Sequence, residues 1–432
     1  MIRAGFIIRI AIALLIVLGY NPAHIAQLIA MGVLKKGSEI VCAFFMFLGA
    51  AGYLCAILLK ARSRLLKNAR RNYKNYILLF SVIAVFLLLT EFALRFASFF
   101  DRRKVHCMHG YEVDYCWRKN SLGFRDDEFK KKKDMSTTRI FLIGDSFVEG
   151  SVQDEYTPDK LLEAKCRKDG FKCEVFNLGV SATGPSEYWL VAQKFRIYQP
   201  DAVVVSAYVD NDIEIEGCAV KGRHGEALGY VLPSEQYVPQ HRWEWFNLID
   251  GIRIKKEIKN RVNKCNIEGF YKNLMLEQKI SPWIACRGGG RDYQELYEAF
   301  NEKFCTDPTF RWHIMSIRDL YSAVPFLLLI NPSKYQVNVQ YLTPMKKLGL
   351  VFKKDEILNR KLQDSIIWWC SRHGINYLDV LPDMLQSQEN TLFFYQFDDH
   401  YTAQGYRFVA DRLYDTLNDM GVFKKVKKGK GG

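Results

Sequence analysis

Apolar and polar positions fall into two regimes along the chain. Up to residue 100, three apolar segments alternate with basic stretches: Phe6–Tyr20, Val41–Leu59 and Tyr76–Phe100. Val41–Leu59 is uncharged and Tyr76–Phe100 carries only Glu91 and Arg95 near its far end, so both meet the length of ~20 residues that a helix needs to cross a bilayer. Phe6–Tyr20 is the shortest and includes Arg9. It reads as a third span or as a signal-like segment, with no small-residue cleavage site after it. From Arg139 onward, short apolar runs alternate with helical patterns. Arg139–Ile143, Cys173–Leu178, Asp201–Tyr208, Pro325–Ile330 and Asn376–Val380 read as strands. Pro158–Lys168, Ser186–Tyr198, Glu356–His373 and Ala403–Leu417 read as helices. Such alternation predicts an α/β fold with a doubly wound parallel sheet.

The chain then divides into a membrane anchor over 1–100, a polar linker over 101–138, an α/β domain over 139–418 and a basic, low-complexity tail over 419–432. Regularity lapses at about 214–319, where Trp243, Trp245, Trp283 and the Gly288–Gly290 turn sit among basic helical stretches. This reads as a large helical insertion whose tryptophans either line a sugar or acyl site or pack as a lid.

Charge sharpens the membrane reading. The net charge of +14 invites a nucleic-acid partner, but the excess lies at the ends: residues 1–75 carry eleven Lys or Arg against Glu39, and five lysines follow Val422. The body between is close to neutral, which argues against nucleic acid. Lys60–Lys74, between the second and third apolar segments, holds seven basic residues and no acid. Such loops stay cytoplasmic, so the third segment runs outward and the α/β domain is expected on the exocytoplasmic side. Lys35, Lys36 and Arg102–Lys104 fit that orientation less well. Of eleven cysteines, Cys107 with Cys116 and Cys166 with Cys173 are close enough in sequence to pair in an oxidising compartment. No Cys-x-x-Cys or Cys/His cluster with metal-ligand spacing appears, so neither a metal nor another cofactor is expected.

Gly144-Asp145-Ser146-Phe147 follows the first strand directly. A glycine there permits a tight turn, and the serine opens a helix at the sheet edge, where its N–H can face a developing oxyanion. Taken alone, the motif is equally a turn with Ser146 as helix cap. Three further segments, Asn177–Pro185, Asp210-Asn211-Asp212 and Phe397–Tyr406, each follow a predicted strand, where open α/β sheets place their sites. In this order the four segments resemble the conserved blocks of the SGNH/GDSL hydrolases, over roughly Arg139–Leu417.

That resemblance implies a role for each matching residue. Ser146 would be the nucleophile and its N–H an oxyanion donor. Asn211 would donate through its side-chain amide. The second block ordinarily supplies a glycine N–H, but Ala182 occupies the matching position, with Gly179 and Gly184 on either side as alternatives. His400 would be the base. Its orienting acid would be Asp398, two residues upstream, with Asp399 as the rival. The third block also departs from the family pattern, with Val209 where a glycine is usual. The implied activity is hydrolysis of O-acyl esters on an envelope glycan or lipid, through an acyl-enzyme. Transfer of the acyl group to a polysaccharide, or an inactive glycan-binding scaffold, would use the same residues.

Overall fold

The computed structural model describes residues 105–215, 259–281, 284 and 290–423, together with Ser81, Val85, Leu88 and Leu89. Its strands are β1 (His106–His109), β2 (Asp114–Trp117), β3 (Thr138–Gly144), β4 (Cys173–Gly179), β5 (Ala202–Tyr208), β6 (Phe326–Asn331) and β7 (Asn376–Asp379). The last five form one parallel sheet in the order β4-β3-β5-β6-β7. Every residue of β3, β5 and β6 is buried, because parallel strands covered on both faces need side chains apolar on both. The edge strands β4 and β7 begin with half-buried or exposed residues.

The helices that matter here are α1 (Ser146–Glu149), α2 (Pro158–Lys168), α3 (Pro185–Phe195), α4 (Tyr293–Thr306), α5 (Thr309–Leu320), α6 (Lys334–Val337), α7 (Lys361–Arg372) and α8 (Ala403–Asp419). Packing pairs α2 with α8, α3 with α5, and α4 with α7. Right-handed crossovers place α2 and α8 on one face of the sheet and the other two pairs on the opposite face. Strand order reverses between β3 and β5, which puts the crevice at their carboxyl ends at the topological switch point.

Three expectations need correction. The end of the expected helical insertion, 290–320, is helical but belongs to the layer on the sheet: α4 buries Tyr293, Leu296, Tyr297, Phe300 and Phe304, and α5 buries Phe310, Ile314 and Ile317. Both sets repeat at helical spacing and cover the sheet layer, but the abundance of aromatic and charged residues conceals the period. Residues 216–258, with Trp243 and Trp245, lie outside the described residues, as does Trp283.

The supposed linker 101–138 is also built into the domain. β1 and β2 form a hairpin closed by the Cys107–Cys116 disulfide. Downstream, buried Arg125 donates to the carbonyl of Gly150 at 2.6 Å and to Asp154 at 2.9 Å, and Phe129 stacks on Phe176 at 4.2 Å. A few anchoring side chains suffice to dock a stretch that is polar on average.

Third, Cys166 and Cys173 are free thiols. A hydrogen bond from one to the other, and then burial, push the Cys166 thiol up. Cys265, by contrast, is disulfide-bonded.

The apolar segments 6–20 and 41–59 lie outside the described residues, and so does 76–100 apart from four helical positions. Among the described residues no helix is long and apolar enough to cross a membrane. Residues 419–423 of the expected tail belong to the fold, and the rest of it, 424–432, lies outside the described residues. Val422 is buried, and Phe423 packs on Tyr414 and Phe171 with ring centroids at 4.9 and 5.4 Å.

Candidate active site

The position of Ser146 is made by one strand and one turn. β3 ends at Gly144, where any side chain would strike Val148 at 2.6 Å and Ser206 at 3.1 Å. Asp145 follows as the cap of α1, its carboxylate accepting the Phe147 N–H at 2.9 Å. Ser146 is therefore the first residue of the helix, and its own N–H is one of those that no helix carbonyl can satisfy. Burial raises Asp145 above the usual carboxylate range, although the Phe147 N–H, His400 and Asn211 oppose the shift.

The second segment is bound closely to this turn. A Cβ on Gly179 would come within 2.2 Å of the Glu149 nitrogen, so only glycine lets β4 approach α1 this closely. Asn177 donates to the Val148 carbonyl and to Asp159, each at 2.8 Å. Buried Glu149 pairs with Lys119 at 2.8 Å and accepts both the Ser181 N–H, at 2.9 Å, and the Ser181 hydroxyl. Burial works against the Glu149 carboxylate, but Lys119 and Ser181 outweigh it and hold the group below its usual range.

These ties decide among the three donors offered by the second segment. The Gly179 N–H goes to the Asn177 side chain at 3.1 Å, and the Gly184 N–H to Glu187 at 3.2 Å. Both of these N–H groups are thus engaged within the fold. Ala182 sits between them at φ +61°. This is the left-handed region, which costs a residue with a Cβ ~1 kcal/mol or more.

Asn211 follows β5, and its amide donates to the Asp145 carboxylate at 3.5 Å, beside the serine. Hydroxyl groups pin its flanks: Asp210 accepts from Tyr293 at 2.9 Å and from Ser333 at 3.4 Å, and Asp212 from Tyr188 at 3.1 Å.

His400 arrives from the loop after β7. Its Nε2 lies 2.6 Å from Ser146 Oγ, and its Nδ1 lies 2.5 Å from Asp398 Oδ1. The same carboxylate oxygen also accepts the His400 backbone N–H at 2.9 Å, so Asp398 doubles back onto the ring. Asp399 points elsewhere, to the Tyr335 hydroxyl at 2.9 Å and the Lys334 ammonium at 3.4 Å. Burial disfavours the charged Asp398, yet the imidazole, its hydrogen bonds and Lys334 hold it down to about 2. Burial likewise works against charged His400, and Asp398 overrides it, raising the imidazole to about 8.

Ser146, His400, Asp398, Asn211 and the turn of Ala182 thus converge at the carboxyl ends of β3, β4, β5 and β7, on a sheet whose order reverses there. The fold is α/β, with a five-stranded parallel sheet. Solved structures similar to the chain include a lipase/acylhydrolase from Enterococcus faecalis, at 12% identity and TM-score 0.35, covering 67% of this chain and 99% of that one. Another belongs to the lipolytic G-D-S-L family of Veillonella parvula DSM 2008, at 10% identity and TM-score 0.32, covering 65% and 98%. A third is a GDSL-like lipase from Bacteroides thetaiotaomicron VPI-5482, at 10% identity and TM-score 0.32, covering 68% and 93%. These likenesses are distant, and the site's geometry stands without them. No family model matches the sequence, and no curated protein does.

Two residues with no place in the sequence motifs touch the His400 loop. Lys334 is fully buried and donates to the carbonyls of Tyr395, Gln396 and Asp398 at 3.3, 2.9 and 3.0 Å. Glu112, at the turn of the disulfide-closed hairpin, accepts the N–H groups of Gln396 at 3.0 Å and Phe397 at 2.5 Å. The position of Lys334, three residues after β6, was a signal of the same kind that picks out Ser146 and Asn211. Glu112 gave no signal at all.

The structure also groups Cys107, His109 and Cys116, whose candidate ligand atoms lie within 4.8 Å of one another. The disulfide occupies both sulfurs and Asp114 takes His109 Nδ1 at 2.7 Å, so this grouping is a stapled hairpin rather than a thiolate site.

Proposed function

We propose that the chain is a membrane-anchored serine esterase that cleaves O-acyl esters of a cell-envelope glycan or lipid through an acyl-enzyme. The observation that carries this reading is the continuous line from Ser146 Oγ through both nitrogens of His400 to Asp398. Ser146 attacks the ester carbonyl while His400 takes its proton at Nε2, and Asp398 holds the tautomer and stabilises the imidazolium. The N–H groups of Ser146 and Ala182 and the amide of Asn211 receive the oxyanion. His400 returns the proton to the departing alcohol, and water then releases the acid by the same route in reverse.

The exocytoplasmic placement is supported by the basic loop Lys60–Lys74 and by the disulfide-bonded cysteines 107, 116 and 265, since disulfides persist in oxidising compartments. The anchor would hold the site beside envelope polymers and lipids. Incubating the full chain with an acetyl-labelled envelope glycan tests the reaction. Labelled free acetate is the expected product, and label moved onto a second glycan would replace hydrolysis with acyl transfer.

A further inference from the structure

The loop Tyr395–Asp399 carries the triad acid, yet it lies in no strand or helix. Its backbone polar groups must find partners elsewhere if the loop is to hold one shape. Carbonyls of three of its residues converge on the Lys334 ammonium, a group with three donors and no acceptor. Two of its N–H groups converge on the Glu112 carboxylate. The loop is thus gripped by a cation through its carbonyls and by an anion through its amides. Burying an ammonium completely is costly unless it is paired and hydrogen-bonded; Lys334 meets that condition almost entirely with the triad loop and with Asp399.

Glu112 comes from the other side of the sequence, 286 positions before Asp398. It sits in the turn of the β1–β2 hairpin, where Gly110 N–H bonds to the Val113 carbonyl at 2.7 Å and Cys107 is joined to Cys116. The neighbouring Tyr111 packs on Phe397, one residue before the triad acid, with ring centroids at 5.7 Å. Burial raises Glu112 above its usual range even though the Phe397 and Gln396 amides and Lys334 draw it down.

We propose that Glu112 and Lys334 are positioning residues that set the triad loop, so that alignment of Asp398 with His400 depends on the disulfide-closed hairpin. The proposal rests on the reading of Ser146, His400 and Asp398 as a triad. Neither residue touches the reacting atoms; each acts through the loop.

The test uses the full chain in detergent micelles with ¹³C-labelled histidine, comparing wild type with Glu112→Ala, Glu112→Gln and the paired Cys107→Ser, Cys116→Ser protein. Misplacing a catalytic group by about 1 Å costs on the order of 10²-fold. Glu112→Ala should therefore lower kcat on p-nitrophenyl acetate by ~10–10²-fold with KM changed less than about twofold. The His400 titration midpoint, followed by NMR, should fall from about 8 toward the ordinary histidine value as Asp398 drifts from the ring. Glu112→Gln keeps the length but only one acceptor oxygen for two N–H groups, so both readings should fall between wild type and Glu112→Ala. The disulfide-free protein should shift both in the same direction by less.

An unchanged His400 midpoint in a folded Glu112→Ala protein overturns the proposal, whatever happens to kcat. If wild type neither turns over the ester nor reacts with a fluorophosphonate, the hydrolase reading fails by itself, and the titration still decides the role of Glu112.

Discussion

The two halves of the proposed triad are held in opposite ways. On the serine side the turn itself is local: β3 ends, Gly144 turns, Asp145 caps and α1 begins within a few residues, and Asn177, Lys119 and Asn211 only brace a shape already set. On the histidine side the loop is irregular and is fixed by Lys334 after β6 and Glu112 from the hairpin, each far away in sequence. A nucleophile fixed by strand and cap tolerates change in the rest of the chain, whereas a base fixed by distant side chains inherits their vulnerability.

The largest effect should come from the acid that orients the base. Asp398→Asn should lower kcat by up to ~10⁴, the scale found when a triad's acid is neutralised and the wrong tautomer results. Asp399→Asn should cost far less, because that carboxylate serves Tyr335 and Lys334 rather than the ring. Steady-state kinetics on the two variants would reverse the assignment if the larger loss fell on Asp399.

A smaller loss is expected on the serine side. Asn211→Ala removes one oxyanion donor and should lower kcat by ~10²–10³ with little change in KM. A loss confined to KM would make Asn211 a substrate-binding residue instead.

Acidity acts on the histidine side through the base itself. His400 lies above its ordinary value in the folded chain, at about 8, so the stabilisation from its ion pair with Asp398 is complete below the unfolded value and is lost as pH rises through about 8. Turnover runs the other way, since the base must be neutral. A pH–rate profile should rise through about 8 and level off above it, and a profile centred near 6 or below would mean that Asp398 does not support the ring.

The smallest effect belongs to the second oxyanion turn. Ala182 holds φ +61°, which glycine adopts without strain. Ala182→Gly should leave kcat within about twofold, because a backbone N–H is all the position supplies, and should change the melting free energy by less than ~1 kcal/mol, with relief of strain offset by chain entropy. A large loss of activity would show that the Ala182 methyl touches substrate.

This same contrast governs what could be read from the sequence. β3, β5 and β6 were legible because strands buried on both faces are continuous apolar runs, Ser146 and Asn211 because each follows such a run, and His400 through the motif around it rather than through the exposed strand β7. Choosing Asp398 over Asp399 needed only the spacing to His400. The helices α4 and α5 escaped because tyrosine, glutamate and tryptophan blur their apolar stripe. Gly179 and Gly184 stayed open as donors because only the structure shows their N–H groups engaged by Asn177 and Glu187. Glu112 escaped because its partners are backbone atoms of a distant loop, which leave no local pattern, whereas Lys334 was marked only by its place three residues after β6.

The central claim is that Ser146 is activated by His400, and covalent labelling tests it most directly. Full-length protein treated with a fluorophosphonate and digested for mass spectrometry should carry one adduct, on Ser146, formed rapidly in wild type, slowly in His400→Ala and not at all in Ser146→Ala. Folded wild type that stays unlabelled at Ser146, or that labels as fast in His400→Ala, would contradict it.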